Sequence, residues 1–207
     1  MQDYLFLTAF LGTVAFVSLT GVLMPGPVFA ASVVKGIENK HAGAWIALGH
    51  MTVEIPLILG VAAGLSVVLT NVWVKIVIGI VGGTLLLYMG VRMLMLRRST
   101  DAVKTAFPGH PLAAGIATTL TNPYVFLWWA TVGAMLLMTA LVFGPVGILL
   151  FIIVHESCDL GWDYLVSYTS FRSKKFWSVR TQAYVFGICG IILAVFGVYF
   201  IISALVF

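Results

Sequence analysis

Six long apolar runs, at about 4–35, 42–69, 73–96, 111–143, 145–169 and 181–207, take up almost the whole of this 207-residue chain. A helix needs about 20 residues to cross the hydrocarbon of a bilayer, so each run is long enough to span. The connections between them leave no room for a soluble domain. Of the residues, 61% are hydrophobic and only 9% are charged, whereas about 25% of a soluble domain is charged. With a mean hydropathy of +1.11, the chain cannot cover its surface with polar groups, and its solvent must be lipid. The fold class that follows is all-α integral membrane, a single transmembrane domain over 1–207 that needs no cofactor. The start, Met1-Gln2-Asp3-Tyr4, carries an acid and no base. It lacks the basic segment of a secretory signal, so the first run is expected to be retained. Cys158 and Cys189 fall inside apolar runs, far apart and not in a Cys-x-x-Cys arrangement, and read as small buried residues.

The net charge of +4 is explained by where the bases sit, without nucleic acid as a partner. Lys35 and Lys40 lie between runs 1 and 2. Arg92, Arg97, Arg98 and Lys104 lie between runs 3 and 4 or at their ends. Arg172, Lys174, Lys175 and Arg180 lie between runs 5 and 6, and Lys75 alone falls on the other side. Cytoplasmic loops retain Lys and Arg, so both termini are expected outside and the three basic loops inside.

The chain parallels itself at offsets of about one hundred residues. Gly26-Pro27-Val28-Phe29 resembles Asn122-Pro123-Tyr124-Val125-Phe126, and the His50…Glu54 spacing returns as His155…Asp159. Gly83, Gly90 and Val91 match Gly190, Gly197 and Val198. Repeat one covers about 1–96, repeat two about 111–207, and 97–110 is a basic cytoplasmic linker. With three spans each, the halves enter the membrane from opposite sides, the inverted repeat found in many secondary transporters.

Runs 1 and 4 are expected to be broken. Proline lacks an N–H and clashes with the carbonyl four residues back, and glycine loosens the backbone further. Pro25-Gly26-Pro27 and Thr121-Asn122-Pro123 should each open the helix close to mid-bilayer, counted at about 1.5 Å per residue from the basic side. Backbone groups freed there need protein, water or a ligand. One half-helix offers N–H groups and the other carbonyls, which suits a zwitterion. The two breaks are therefore a candidate substrate site, the alternative being packing kinks re-satisfied by neighbouring helices.

The titratable residues in the runs form a second set. His50 and Glu54 share a helix face at i, i+4, and His155, Asp159 and Asp163 form a stripe while Glu156 points about 100° away. An acid at the centre of a spanning helix costs roughly 2.5–3.5 kcal/mol, so these groups are expected to serve a purpose. His50, Glu54, His155 and Asp159 are the candidate proton-coupling residues, the alternative being a satisfied hydrogen-bond cluster between helices. Asp163 is expected to approach the cytoplasmic surface. Pro56 deprives the Thr52 carbonyl of its helical partner and leaves it as a further cation or ammonium ligand. Trp128 and Trp129, five and six residues past the second break, read as packing or lipid-facing residues, with lining of a substrate path as the alternative, and Trp162 and Trp177 as a cytoplasmic aromatic belt.

Leu23-Met24-Pro25-Gly26-Pro27-Val28-Phe29-Ala30, the segment from Gly43 to Gly49, the helix with Gly83, Tyr88, Met89 and Gly90, and the Thr121-Asn122-Pro123 break resemble the lysine exporter (LysE/RhtB) family over essentially the whole chain. That resemblance implies a prokaryotic cytoplasmic-membrane protein exporting amino acids or similar small solutes, coupled to protons, with Pro25, Gly26, Pro27, Asn122 and Pro123 at the two breaks as the substrate-binding residues. The partners expected are thus a small solute, protons and the bilayer, with homo-oligomer formation left open. A divalent-metal transporter is the alternative, with His50, Glu54, His155, Glu156 and Asp159 as ligands. An enzyme is not expected: His155-Glu156-Ser157-Cys158-Asp159 misses the His-Glu-x-x-His pattern of zinc proteases by one residue.

Overall fold

The longest apolar runs do become membrane-length helices, and two of them are interrupted. The computed structural model describes residues 2–69, 71–99, 106–176 and 178–206, apart from the side chains of 2–4 and 66. Lys104 of the basic linker and Trp177 of the expected aromatic belt lie outside the described residues, as do Met1 and Phe207. The elements are α1 (Gln2–Val22), α2 (Pro27–Gly36), α3 (Ala42–Ala62), the short α4 (Leu65–Leu69) and α5 (Val72–Leu96), followed by α6 (Pro111–Leu120) and α7 (Pro123–Trp128). A π-helical turn (Trp129–Gly133) leads to α8 (Ala134–Leu141). Then come α9 (Gly144–Arg172), a 3-10 turn (Ser173–Phe176) and α10 (Val179–Leu205). Among the described residues there is no strand, and six helical stretches are long and apolar enough to cross a membrane.

The breaks fall where proline demands them. Helix α1 ends at Val22 and α2 restarts at Pro27, which stands in its first turn behind an extended Gly26. Helix α6 ends at Leu120, and α7 restarts at Pro123 behind an extended Asn122. Proline in a first turn costs no hydrogen bond, because that N–H has no helical partner. Run 2 also stops earlier than hydropathy suggests, since Gly64 takes φ +101 and turns the chain before α4. Only glycine adopts that conformation without strain.

Contacts between helix ends gather most of the charge at one end of the bundle. The Gln182 amide donates to the Arg97 and Ser99 carbonyls, Lys35 to the Gly109 carbonyl, and Ser167 to the Lys40 carbonyl. Nine of the ten described bases cluster there and Lys75 lies away from it, so we call this the basic end. Helices α2 and α6, each of 10 residues, reach inward from the basic end by about 15 Å.

Glycine sets the closest packing. Helices α5 and α10 run antiparallel, and a Cβ on Gly83 would lie 2.8 Å from the Gly197 carbonyl oxygen, with the reverse distance 2.7 Å. The same exchange joins Gly90 and Gly190, at 2.6 Å and 2.9 Å. Two apolar cores result. One near the basic end includes Ile46, Leu86, Met93, Phe186 and Leu193; the other includes Phe10, Ile58, Trp129, Leu137 and Phe151. Large apolar side chains such as Val81, Met135, Ile188 and Val195 point outward, the arrangement lipid demands.

Candidate functional site

Between the two cores lies a cavity of about 90 Å³, room for several waters or a small solute at roughly 10–15 Å³ per water centre. Both helix breaks and both histidine–acid pairs line it. From the breaks come Pro25, Gly26, Pro27 and Asn122; from α3 come His50 and Glu54; from α9 come His155, Asp159 and Asp163. Pro123 is the exception among the expected binding residues. Its ring packs against Gly82 of α5, where an added Cβ would lie 2.9 Å from its Cδ, and it does not line the cavity.

The two breaks differ in how they are finished. At α7 the Asn122 side chain accepts from the Tyr124 N–H at 3.1 Å and caps its own helix. At α2 the Gly26 position has no side-chain cap, so the first amides of this helix lack such a partner, and Val28 and Phe29 line the cavity beside them. The breaks are close: a Cβ on Gly26 would lie 3.8 Å from Asn122 Nδ2.

The four candidate coupling residues converge. His50 Nε2 lies 2.7 Å from Glu54 Oε2 and 3.8 Å from Asp159 Oδ1, while His155 Nε2 lies 3.5 Å from both Glu54 Oε2 and Asp159 Oδ2. All four are buried. Each ring is anchored by its other nitrogen to a hydroxyl on a broken span, His50 Nδ1 to Thr119 and His155 Nδ1 to Ser18, both at 2.7 Å. The direction at His50 follows from counting protons. Thr119 donates its only hydroxyl hydrogen to the Gly115 carbonyl at 2.7 Å, so its oxygen accepts from Nδ1–H. A neutral ring would then turn a lone pair toward Glu54 Oε2 at 2.7 Å. The contact therefore calls for one more proton, on Nε2 or on the carboxyl. It is a close contact rather than an aligned hydrogen bond, because Glu54 Oε2 has no hydrogen-bond partner, and it is an ion pair only when the proton sits on the imidazole.

Glu54 Oε1 is held separately, by the Trp129 indole N–H at 2.7 Å. Trp129 is fully buried and sits on the π-helical turn, and Trp128 lines the cavity. Both flank His155, with centroids at 5.1 Å and 5.4 Å, and Phe151 covers the ring at 6.0 Å. Trp128 and Trp129 thus belong to the polar centre, not to a lipid-facing surface. Trp162 likewise lines the cavity, stacked on Phe29 at 6.5 Å with its N–H unpartnered, and is no part of an aromatic belt. Asp163 does not approach the surface. It is 3% exposed and accepts from Ser32 at 2.8 Å, because α2 packs along this stretch of α9.

As metal ligands, His50, Glu54 and Asp159 bring one donor atom each within 4.8 Å of the others. Glu156 stays off the cavity, buried with both carboxyl oxygens unpartnered. The signal for the tryptophans was weak in sequence, since only the register between α3 and the π turn brings Trp129 to Glu54.

Comparison with known proteins agrees with this architecture. The family model for the LysE type translocator matches residues 19–204. A Bacillus subtilis (strain 168) protein named "Putative amino acid efflux protein YcgF" is 32% identical over 182 residues, covering 84% of this chain and 87% of its own. No solved structure matches the chain. Six helical stretches long enough to cross a membrane, with the chain broken beside the first and the fourth around a cavity that holds buried acids and histidines, are carried by a multi-pass transporter, and the chain belongs to the LysE type translocator family.

Proposed function

We propose that this protein is a secondary transporter that exports amino acids or similar small solutes across a prokaryotic cytoplasmic membrane in exchange for protons. The observation that carries the reading is the single cavity on which the two helix breaks and the His50, Glu54, His155 and Asp159 cluster converge. The name of the B. subtilis relative points the same way. A zwitterion fits the cavity's polarity. Its carboxylate goes to the uncapped start of α2, where N–H groups and the helix dipole favour negative charge. Its ammonium goes to Asp159 Oδ2, which is buried and without a hydrogen-bond partner. Proton exchange falls to the His50–Glu54 contact, which holds one proton that either partner can carry.

Alternating access follows from the reading of the halves as inverted repeats, rocking about the cavity with the basic loops inside and both termini outside. Two sets of exchanged contacts support it: Gly83–Gly197 with Gly90–Gly190, and His50–Thr119 with His155–Ser18. Divalent-metal transport has the spacing of His50, Glu54 and Asp159 in its favour. Against it, the apolar share of the cavity wall offers a metal nothing.

Glu54→Gln tests the coupling in proteoliposomes. The variant should still exchange labelled for unlabelled substrate but lose export driven by a pH gradient. Undiminished pH-driven export by this variant would exclude Glu54 as the coupling group.

A further inference from the structure

The cavity's walls are chemically unequal. Every carboxylate and imidazole on it comes from α3 and α9, whereas α5 and α10 contribute only Leu86, Leu193, Phe196 and Phe200. Neither Lys nor Arg is among the described lining residues. From this we infer that the transported amino acid carries a bulky, uncharged, apolar side chain of the leucine or phenylalanine type. The inference rests on the amino-acid reading above and adds the side chain to it.

The reasoning follows the charges. With the ammonium on Asp159 and the carboxylate at the start of α2, the side chain is left the α5/α10 wall. An acidic side chain would find no cation there to offset the loss of its water. A second ammonium or a guanidinium would meet the same wall without a counter-ion, since Glu54 is engaged by Trp129 and His50, and Asp163 by Ser32. An apolar side chain gains by leaving water. At about 0.8 kcal/mol per buried methylene, each carbon is worth roughly fourfold in affinity, so leucine should exceed alanine by roughly tenfold or more.

The test is counterflow, which needs no proton gradient and so separates substrate choice from coupling. Proteoliposomes holding the purified full-length protein are preloaded with leucine, phenylalanine, alanine, lysine or glutamate, and uptake of labelled leucine is followed. Leucine and phenylalanine should drive uptake roughly tenfold better than alanine, with lysine and glutamate near background. Labelled lysine and labelled glutamate are run against themselves in parallel. Exchange of either at a rate matching or exceeding leucine would overturn the side-chain inference and leave the exporter reading standing. Absence of exchange for all five, with protein that melts cooperatively, would overturn both. In a second arm, Phe196→Asp places a carboxylate on the apolar wall, and leucine exchange should fall while lysine exchange rises. An unchanged leucine preference in that variant would show that the side chain does not lie against this wall.

Discussion

The Trp129 indole donates a 2.7 Å hydrogen bond to Glu54 Oε1, joining the π-helical turn of the fourth span to the acid of the second. This bond leaves the other carboxyl oxygen to the histidines. Trp129→Phe keeps most of the ring volume and removes the donor, so a buried oxygen loses its partner. Such a loss costs roughly 1–3 kcal/mol. The variant should melt several degrees lower in detergent, and its pH profile for export should move, because Glu54 is no longer held. A wild-type melting temperature with a wild-type pH profile would show the bond to be unimportant.

The α5/α10 pair makes a prediction about packing alone. A Cβ at Gly90 would stand 2.6 Å from both the Ala194 nitrogen and the Gly190 carbonyl oxygen, all backbone atoms with no rotamer to yield. At Gly12, nothing lies within 4 Å. Gly90→Ala should destabilise the protein by about 1–3 kcal/mol, in the range of overpacked cores, while Gly12→Ala should leave melting unchanged or slightly raised. Thermal unfolding of the two variants side by side checks this, and equal melting temperatures would refute the close approach.

The six spans, the two breaks and the unequal distribution of bases could be read from the chain because each depends on local chemistry. Hydropathy over about 20 residues reports burial in lipid, and Pro27 and Pro123 remove hydrogen bonds wherever the helices pack. The side-chain partners were not legible in the same way. Trp129 reaches Glu54, Ser18 reaches His155, and Ser32 reaches Asp163 across 75, 137 and 131 residues, through a register that no single helix encodes. Adjacent tryptophans on an ideal helix point apart, yet Trp128 and Trp129 both reach His155. Distance from the nearest basic loop placed Asp163 and Trp162 too near the surface, since α9 continues to Arg172.

Gly26 separates function from folding. Its φ of −141 and ψ of −169 are extended values open to any residue, and an added Cβ would be 3.8 Å from Asn122 Nδ2, an ordinary contact. Gly26→Ala should therefore fold and melt like the native protein. The methyl group would stand in the cavity between the two breaks, where the substrate carboxylate is proposed to bind. Counterflow should fall by roughly tenfold, in keeping with the sensitivity of positioned groups to small displacements. If exchange rates stayed native, the region around Gly26 would be excluded from the substrate path.

Thr119 gives the sharpest test of the proton count at His50. Thr119→Val has nearly the same shape, but it removes the oxygen that accepts from His50 Nδ1–H and the hydroxyl that donates to the Gly115 carbonyl. The ring then loses the bond that fixes its tautomer, and its hydrogen can move to Nε2, facing Glu54. A neutral ring of that form satisfies the 2.7 Å contact without an additional proton. Export driven by a pH gradient should drop by an order of magnitude or so, as seen when a group that orients an essential imidazole is lost, while counterflow of substrate persists. Thr119→Ser, which keeps both bonds, should restore coupling. A valine variant with native pH-driven export would mean that the proton at His50 is not set by Thr119.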